Sequence, residues 1–148
     1  MPHTYTDLHA HIVFGTRDRE PRLVEAIQPR VFSYIDAILR DLGLTPIRIG
    51  GWVDHIHILT GFRSTHRIAD QIRDIKSRSS GWIVDEIDRA FHWQRGYAAF
   101  TVSRNRIEAV SRYIARQVEH HRRKTFEEEL IELLEQAAIE VDRRYLWT

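Results

Sequence analysis

Thr45-Pro46-Ile47-Arg48-Ile49-Gly50-Gly51-Trp52-Val53-Asp54-His55-Ile56-His57-Ile58-Leu59-Thr60-Gly61-Phe62 reads as two β-strands, Thr45 to Trp52 and His55 to Phe62, joined tightly enough to form a hairpin. Alternate residues of a strand share a side, so His55 and His57 point together with Cα atoms roughly 7 Å apart. Two imidazoles at that spacing can converge on one metal ion. They can equally be ordinary strand histidines that face solvent or are satisfied by neighbours. A second pair, His9 and His11, repeats the spacing, but no oxygen or nitrogen partner is evident near it, and it reads as an ordinary stretch of strand. Phosphoesterases built on two His-x-Thr motifs are excluded, because Leu59 and Val13 stand where the threonines belong.

Before the hairpin, Tyr5 to Gly15 reads as a strand, and Ile27, Val31, Tyr34, Ile35, Ile38, Leu39 and Leu42 recur at helical spacing before a stop at Gly43. Beyond the hairpin, Ser64-Thr65 offers an N-cap for a second helix whose inner face carries Ile68, Ile72, Ile75 and Ser79. Trp82 to Phe91 fits either a continuation of that helix or a loop, and Trp93 to Val102 reads as a final strand interrupted at Gly96. Ser103 is the expected cap of a third helix with the stripe Ile107, Val110, Ile114 and Val118. A last helix is expected from about Thr125 to Ala138, with Phe126, Leu130, Leu133, Leu134 and Ala137 inward. The order strand, helix, strand, strand, helix, strand, helix predicts an α+β ferredoxin-like sandwich, an antiparallel sheet with helices packed on one face, plus an extra C-terminal helix. Such a fold hosts many activities and decides none of them.

A length of 148 residues suits one domain spanning 1–148, with 125–148 as its C-terminal helix and tail. Hydrophobic residues at 43% support a core, and the absence of cysteine excludes disulfides and thiolate zinc sites. Neither a signal peptide nor an apolar membrane span is read, so a cytoplasmic protein without membrane contact is expected. The net charge of +1 conceals a basic stretch, Arg104, Arg106, Arg112, Arg116, Arg122, Arg123 and Lys124, followed by Glu127, Glu128, Glu129, Glu132 and Glu135. The basic stretch is compatible with nucleic acid, and the acidic one reads as the solvent side of a packing helix.

On the third helix, at about 100° per residue, Tyr113 lies about a quarter-turn from the centre of the apolar stripe, and Gln117 and His120 share its flank. A purely structural tyrosine would sit at the centre, although boundary tyrosines are common. Here several segments come together. Leu8-His9-Ala10-His11-Ile12-Val13-Phe14-Gly15-Thr16, Asp54-His55-Ile56-His57-Ile58-Leu59, Asp74-Ile75-Lys76-Ser77-Arg78-Ser79-Ser80, Trp93-Gln94-Arg95-Gly96-Tyr97-Ala98-Ala99-Phe100, Tyr113-Ile114-Ala115-Arg116-Gln117 and the ending Arg144-Tyr145-Leu146-Trp147 occur in one order and spacing. Together they resemble the single-tyrosine HUH transposases (His-hydrophobic-His) of bacterial insertion sequences, the IS200-like transposases, and their relatives associated with repetitive extragenic palindromes. The acidic helix and tail beyond Lys124 depart from the minimal transposases and resemble the longer relatives.

The resemblance implies a metal-dependent DNA transposase that nicks and rejoins single-stranded DNA through a covalent 5′-phosphotyrosine intermediate. It implies Tyr113 as nucleophile and His55, His57 and Gln117 as ligands of a divalent metal, Mg2+ or Mn2+. It further implies a homodimer acting on hairpin-forming single-stranded DNA, in which the tyrosine helix can serve the partner's histidines. No Gly-rich phosphate loop is present, which agrees with strand exchange that needs no nucleotide cofactor. Candidate DNA contacts are Arg17 and Arg19 after the first strand, Lys76 and Arg78 on the second helix, and Trp93, Arg95 and Tyr97. For the aromatics the plainer role is core packing, and for the basic residues a solvated helix face. Other readings are a non-catalytic single-strand-binding module, a relaxase or replication initiator, for which 148 residues leave little room, and a domesticated relative that processes chromosomal palindromes.

Overall fold

The structure, a computed structural model, describes residues 3–146, so Trp147 of the C-terminal motif lies outside the described residues. Its elements are β1 (Leu8–Gly15), α1 (Gln28–Asp41), β2 (Thr45–Gly51), β3 (His55–Phe62), α2 (Ile68–Glu86), β4 (Ala98–Thr101), α3 (Ile107–Ala115), α4 (Gln117–His120) and α5 (Phe126–Gln136). The strands form one sheet in the order β2-β3-β1-β4, with every neighbouring pair antiparallel. This is the expected α+β fold, with one correction: helices cover both faces of the sheet, not one.

Strand alternation divides the side chains cleanly between two layers. Ala10, Ile12 and Phe14 of β1 and Ile56 and Ile58 of β3 face α1 and α2, where Val31, Ile35, Ile38 and Leu39 meet Ile72, Ile75 and Ile83. The opposite face carries His11 and Val13 from β1 and His55, His57 and Leu59 from β3. It is covered too: α3 packs Ile114 against Leu59 and Val102, and α5 packs Phe126 and Leu130 against Val13. The histidines therefore lie in a helix-covered layer rather than on an open sheet.

Several boundaries differ from the sequence expectation for local reasons. Helix α1 ends at Gly43 as expected, with that glycine at φ 81 and the Leu44 N–H returning to Leu39 O at 2.9 Å. Helix α2 takes Arg67, not Ser64 or Thr65, at its N-cap, and it runs through the undecided stretch to Glu86. Strand β4 spans four residues, shorter than the expected Trp93 to Val102. Trp93 still bridges Thr16 and the Gln94 N–H reaches Gly15 O at 2.9 Å, but the carbonyls of Gln94, Arg95 and Gly96 turn to the Lys76 ammonium, which interrupts the ladder ahead of Ala98.

The tyrosine helix also departs from a single regular cylinder. Arg116 adopts φ −101, ψ 20, separating α3 from α4. The break rotates Gln117 inward to 2% exposure and Val118 outward to 38%. Among the described residues, no helix is long and apolar enough to cross a membrane.

Candidate active site

Each histidine of the helix-covered layer is held from behind. His55 donates its Nδ1–H to Asp54 Oδ1 at 2.9 Å. His57 Nδ1 and His11 Nε2 share a 2.7 Å hydrogen bond, which supplies the partner for His11 that the sequence did not reveal. His121, from the end of α4, places Nδ1 2.7 Å from the Lys124 carbonyl. With their Nδ1 atoms engaged, His55, His57 and His121 turn Nε2 toward one point.

That point holds a carboxylate. Glu129 Oε1 lies 3.1 Å from His55 Nε2, 3.1 Å from His57 Nε2 and 3.2 Å from His121 Nε2. Gln117 Oε1 joins them, 3.0 Å from His55 Nε2 and 2.9 Å from His121 Nε2, while its amide N–H donates to Glu129 Oε2 at 3.1 Å. Tyr113 donates its hydroxyl to the same Oε2 in a very short hydrogen bond. Its ring stands edge-on to His57, centroids 5.7 Å apart. Among the described residues the His120 Nε2 atom is buried without a hydrogen-bond partner, although Glu129 Oε2 is 3.1 Å away.

The structure thus brings Tyr113, His55, His57 and Gln117 together in one chain. It adds His11, Asp54, His121 and Glu129, which sequence reasoning does not pick out. Glu129 is the clearest correction: its run of glutamates reads as an acidic solvent face, yet it is 1% exposed. A signal is nevertheless present. Glu129 stands three residues after Phe126 and four before Leu133, on the inward stripe of α5.

Electrostatics follow from burial and from this carboxylate. Burial opposes charge on His55, but the Asp54 and Glu129 carboxylates outweigh it and raise its pKa above the ordinary histidine value. Burial dominates at His57, pushed down to about 4, and at His11, pushed down to about 3 with repulsion from His57 adding to it. For Glu129 the reverse holds: burial disfavours its charge, and hydrogen bonds from His121, His55 and His57 overcome that and keep it ionised. Burial and the adjacent Glu129 charge raise Tyr113 well above the usual phenol value.

Tyr113 opens onto a cleft of about 800 Å³ walled by Arg112, Arg116, Arg122, Arg123 and Lys124. The remaining expected DNA contacts lie elsewhere. Trp93 is a core residue, packed edge-on against Phe14 and Phe91, with its indole N–H on Ser79 Oγ at 2.9 Å. Lys76 holds three backbone carbonyls on the α2 side of the sheet, and burial pushes its pKa down to about 8. Arg78 pairs with Asp41 at 2.8 Å. Arg17, Arg95 and Tyr97 are exposed and do not line that cleft, whereas Arg19 shares a neighbouring hollow with Arg122, Arg123 and Lys124 and pairs with Glu127 at 3.4 Å.

The donor set suits a divalent cation: imidazole nitrogens, an amide oxygen and a carboxylate converge in a buried layer, each histidine oriented by a second partner. His55, His121 and Glu129 place ligand atoms within 4.8 Å of one another.

Residues 4–117 match the model of the family described as "Transposase IS200 like". The fold is similar to that of a candidate transposase from Deinococcus radiodurans R1, at 21% identity and TM-score 0.66, covering 79% of this chain and 95% of the other. It is also similar to a REP-associated tyrosine transposase bound to a REP hairpin, at 14% identity and TM-score 0.61, covering 82% of this chain and 73% of that one. No curated protein sequence matches the chain. With the family model spanning most of its length, the chain belongs to the IS200-like transposases.

Proposed function

We propose that this transposase cleaves and rejoins single-stranded DNA with Tyr113 as its nucleophile, and that His55, His57 and Gln117 hold the divalent cation the reaction uses. The observation that carries the reading is the meeting of Tyr113 with the His55/His57/Gln117 cluster at the foot of a basic cleft. When bound, such a cation polarises the scissile phosphate and offsets the charge that builds in the transition state. Manganese suits mixed nitrogen and oxygen ligation, and magnesium serves where phosphate and water fill the remaining positions.

The chain's own residues account for the rest. Arg112, Arg116, Arg122 and Arg123 line the route to Tyr113 and offer charge to a DNA backbone. Tyr113 Oη bonds to phosphorus as the bond from phosphorus to O3′ breaks, leaving a 5′-phosphotyrosine and a free 3′-hydroxyl. The phenol proton has an acceptor in place, Glu129 Oε2, and the departing O3′ takes a proton in turn. One phosphodiester replaces another, so bond energy is conserved and the reverse attack rejoins strands without ATP.

The REP-associated neighbour is bound to a hairpin. Hairpin-forming single strands are therefore the substrate class to test here. Incubating the full chain with a panel of hairpin oligonucleotides and Mn2+, then running a denaturing gel, should reveal a covalent protein–DNA band. Tyr113→Phe is expected to abolish the band, and chelation of the metal to do the same. A band that persists in Tyr113→Phe assigns the nucleophile elsewhere.

A further inference from the structure

We propose that His121 and Glu129 are themselves ligands of the cation, so that the site has five protein donors and α5 belongs to the active site. This rests on the reading that His55 and His57 hold a divalent ion. Both additional residues lie beyond the segment matched by the family model.

A neutral imidazole carries one N–H. His121 spends that hydrogen on the Lys124 carbonyl, and His55 spends its own on the Asp54 carboxylate. Each Nε2 faces oxygen acceptors, Gln117 Oε1 at 2.9 Å and Glu129 Oε1 at 3.2 Å for His121, 3.0 Å and 3.1 Å for His55: a second proton on the ring makes a hydrogen bond there, and the neutral ring presents a lone pair. Gln117 Oε1 is an acceptor only, and the amide N–H of that side chain, donated to Glu129 Oε2, fixes the oxygen toward the histidines. Without a cation, a proton on each Nε2 bridges these atoms; a divalent cation between the deprotonated rings and the oxygens replaces those protons and binds every lone pair at once.

The distances and the partners behind each ring agree. In an octahedral shell with bonds of about 2.1 Å, neighbouring donors are separated by about 3.0 Å. Four of the separations, His55–Gln117, Gln117–His121, His121–Glu129 and Glu129–His55, run from 2.9 to 3.2 Å, and His57 stands 3.1 Å from Glu129. Metal-bound histidines characteristically donate their second nitrogen to a carboxylate, a carbonyl or another fixed partner. Here Asp54, the Lys124 carbonyl and His11 fill those roles for His55, His121 and His57. The helix carrying Glu129 is held in position: Thr125 and Glu128 form a capping box, and Phe126 stacks on the His55 ring at 4.0 Å. Five protein donors in a six-coordinate shell leave one position, which a phosphate oxygen can take.

Mn2+ binding to the full chain without DNA tests this, by isothermal titration and by the rise in melting temperature that Mn2+ produces. Glu129→Gln and His121→Ala are each expected to weaken Mn2+ at least about tenfold and to shrink the thermal shift. Glu129→Asp, which keeps the carboxylate, should restore part of both. Circular dichroism of each variant separates lost ligation from lost folding. If Glu129→Gln binds Mn2+ as tightly as the parent, or more tightly, the carboxylate occupies the cation's place rather than holding the ion, and the inference is overturned. The double variant His55→Ala/His57→Ala is the control. Unchanged Mn2+ binding there sinks the underlying metal reading as well, whereas loss there with an unchanged Glu129→Gln sinks only the five-donor site.

Discussion

Trp93 sits where β1 meets α2, its ring centroid 4.8 Å from Phe14 and 4.7 Å from Phe91 in edge-on contacts. An indole so placed stabilises through area and packing and is not offered to a DNA base. Trp93→Ala is expected to cost about 3–5 kcal/mol of stability, read from urea denaturation. Trp93→Phe should cost less while leaving hairpin affinity of the folded protein unchanged; a large fall in affinity at native stability would instead make Trp93 a DNA contact. His55 and His57 were legible because strand alternation alone puts them on one side. His11 was not. It meets His57 only because β1 and β3 pair with Val13 opposite His57, a register no local pattern discloses. Glu129 was obscured by its neighbours: in a run of three glutamates, periodicity against Phe126 and Leu133 is the only feature that marks the middle of the helix's buried face.

At the scale of elements, the first half of the chain was the easier to read. Helix α1 and strands β2 and β3 follow their apolar periods and end at turn residues. The second half depends on tertiary contacts: β4 is shortened by the Lys76 ammonium, and α3 breaks at Arg116 where Gln117 is drawn inward. The seating of α3 on the sheet rests on Gly50. A Cβ there would stand 2.8 Å from both Cγ2 and the carbonyl oxygen of Ile114, the residue next to Tyr113. Gly50→Ala is expected to lever α3 outward, costing about 1–3 kcal/mol and lowering covalent adduct formation further than the stability loss explains. Gly81 gives the contrast. It lies within α2, and a Cβ at that position would meet nothing within 4 Å, so Gly81→Ala should stabilise by up to about 1 kcal/mol and leave cleavage intact. Melting temperatures and gel-shift yields for the pair separate a helix seated by contact from one merely continued.

For the whole molecule, the question is whether one chain supplies a complete site. The family resemblance implies a homodimer in which the tyrosine helix can serve the partner. In this structure α3 is anchored on its own sheet, with Ile114 among Leu59 and Val102 and Tyr113 edge-on to His57 of the same chain. Tyr113, Gln117, His121 and Glu129 all arrive through a continuous stretch that runs from α3 through α4 to α5, and each touches the site built on β3 of that chain. Exchanging the tyrosine with a partner would require breaking the Ile114 contacts and the Tyr113–Glu129 hydrogen bond together. Catalysis within one chain is therefore the expected outcome. Tyr113→Phe retains the histidines and His57→Ala retains the tyrosine, so a mixture of the two inactive variants can form a competent site only by sharing across chains. After mild denaturation and joint refolding to allow any exchange, the mixture should yield no more adduct than the variants tested separately. Recovery of a substantial fraction of parental activity would show that the tyrosine acts across chains, and would require α3 to leave the seat that Gly50 makes for it.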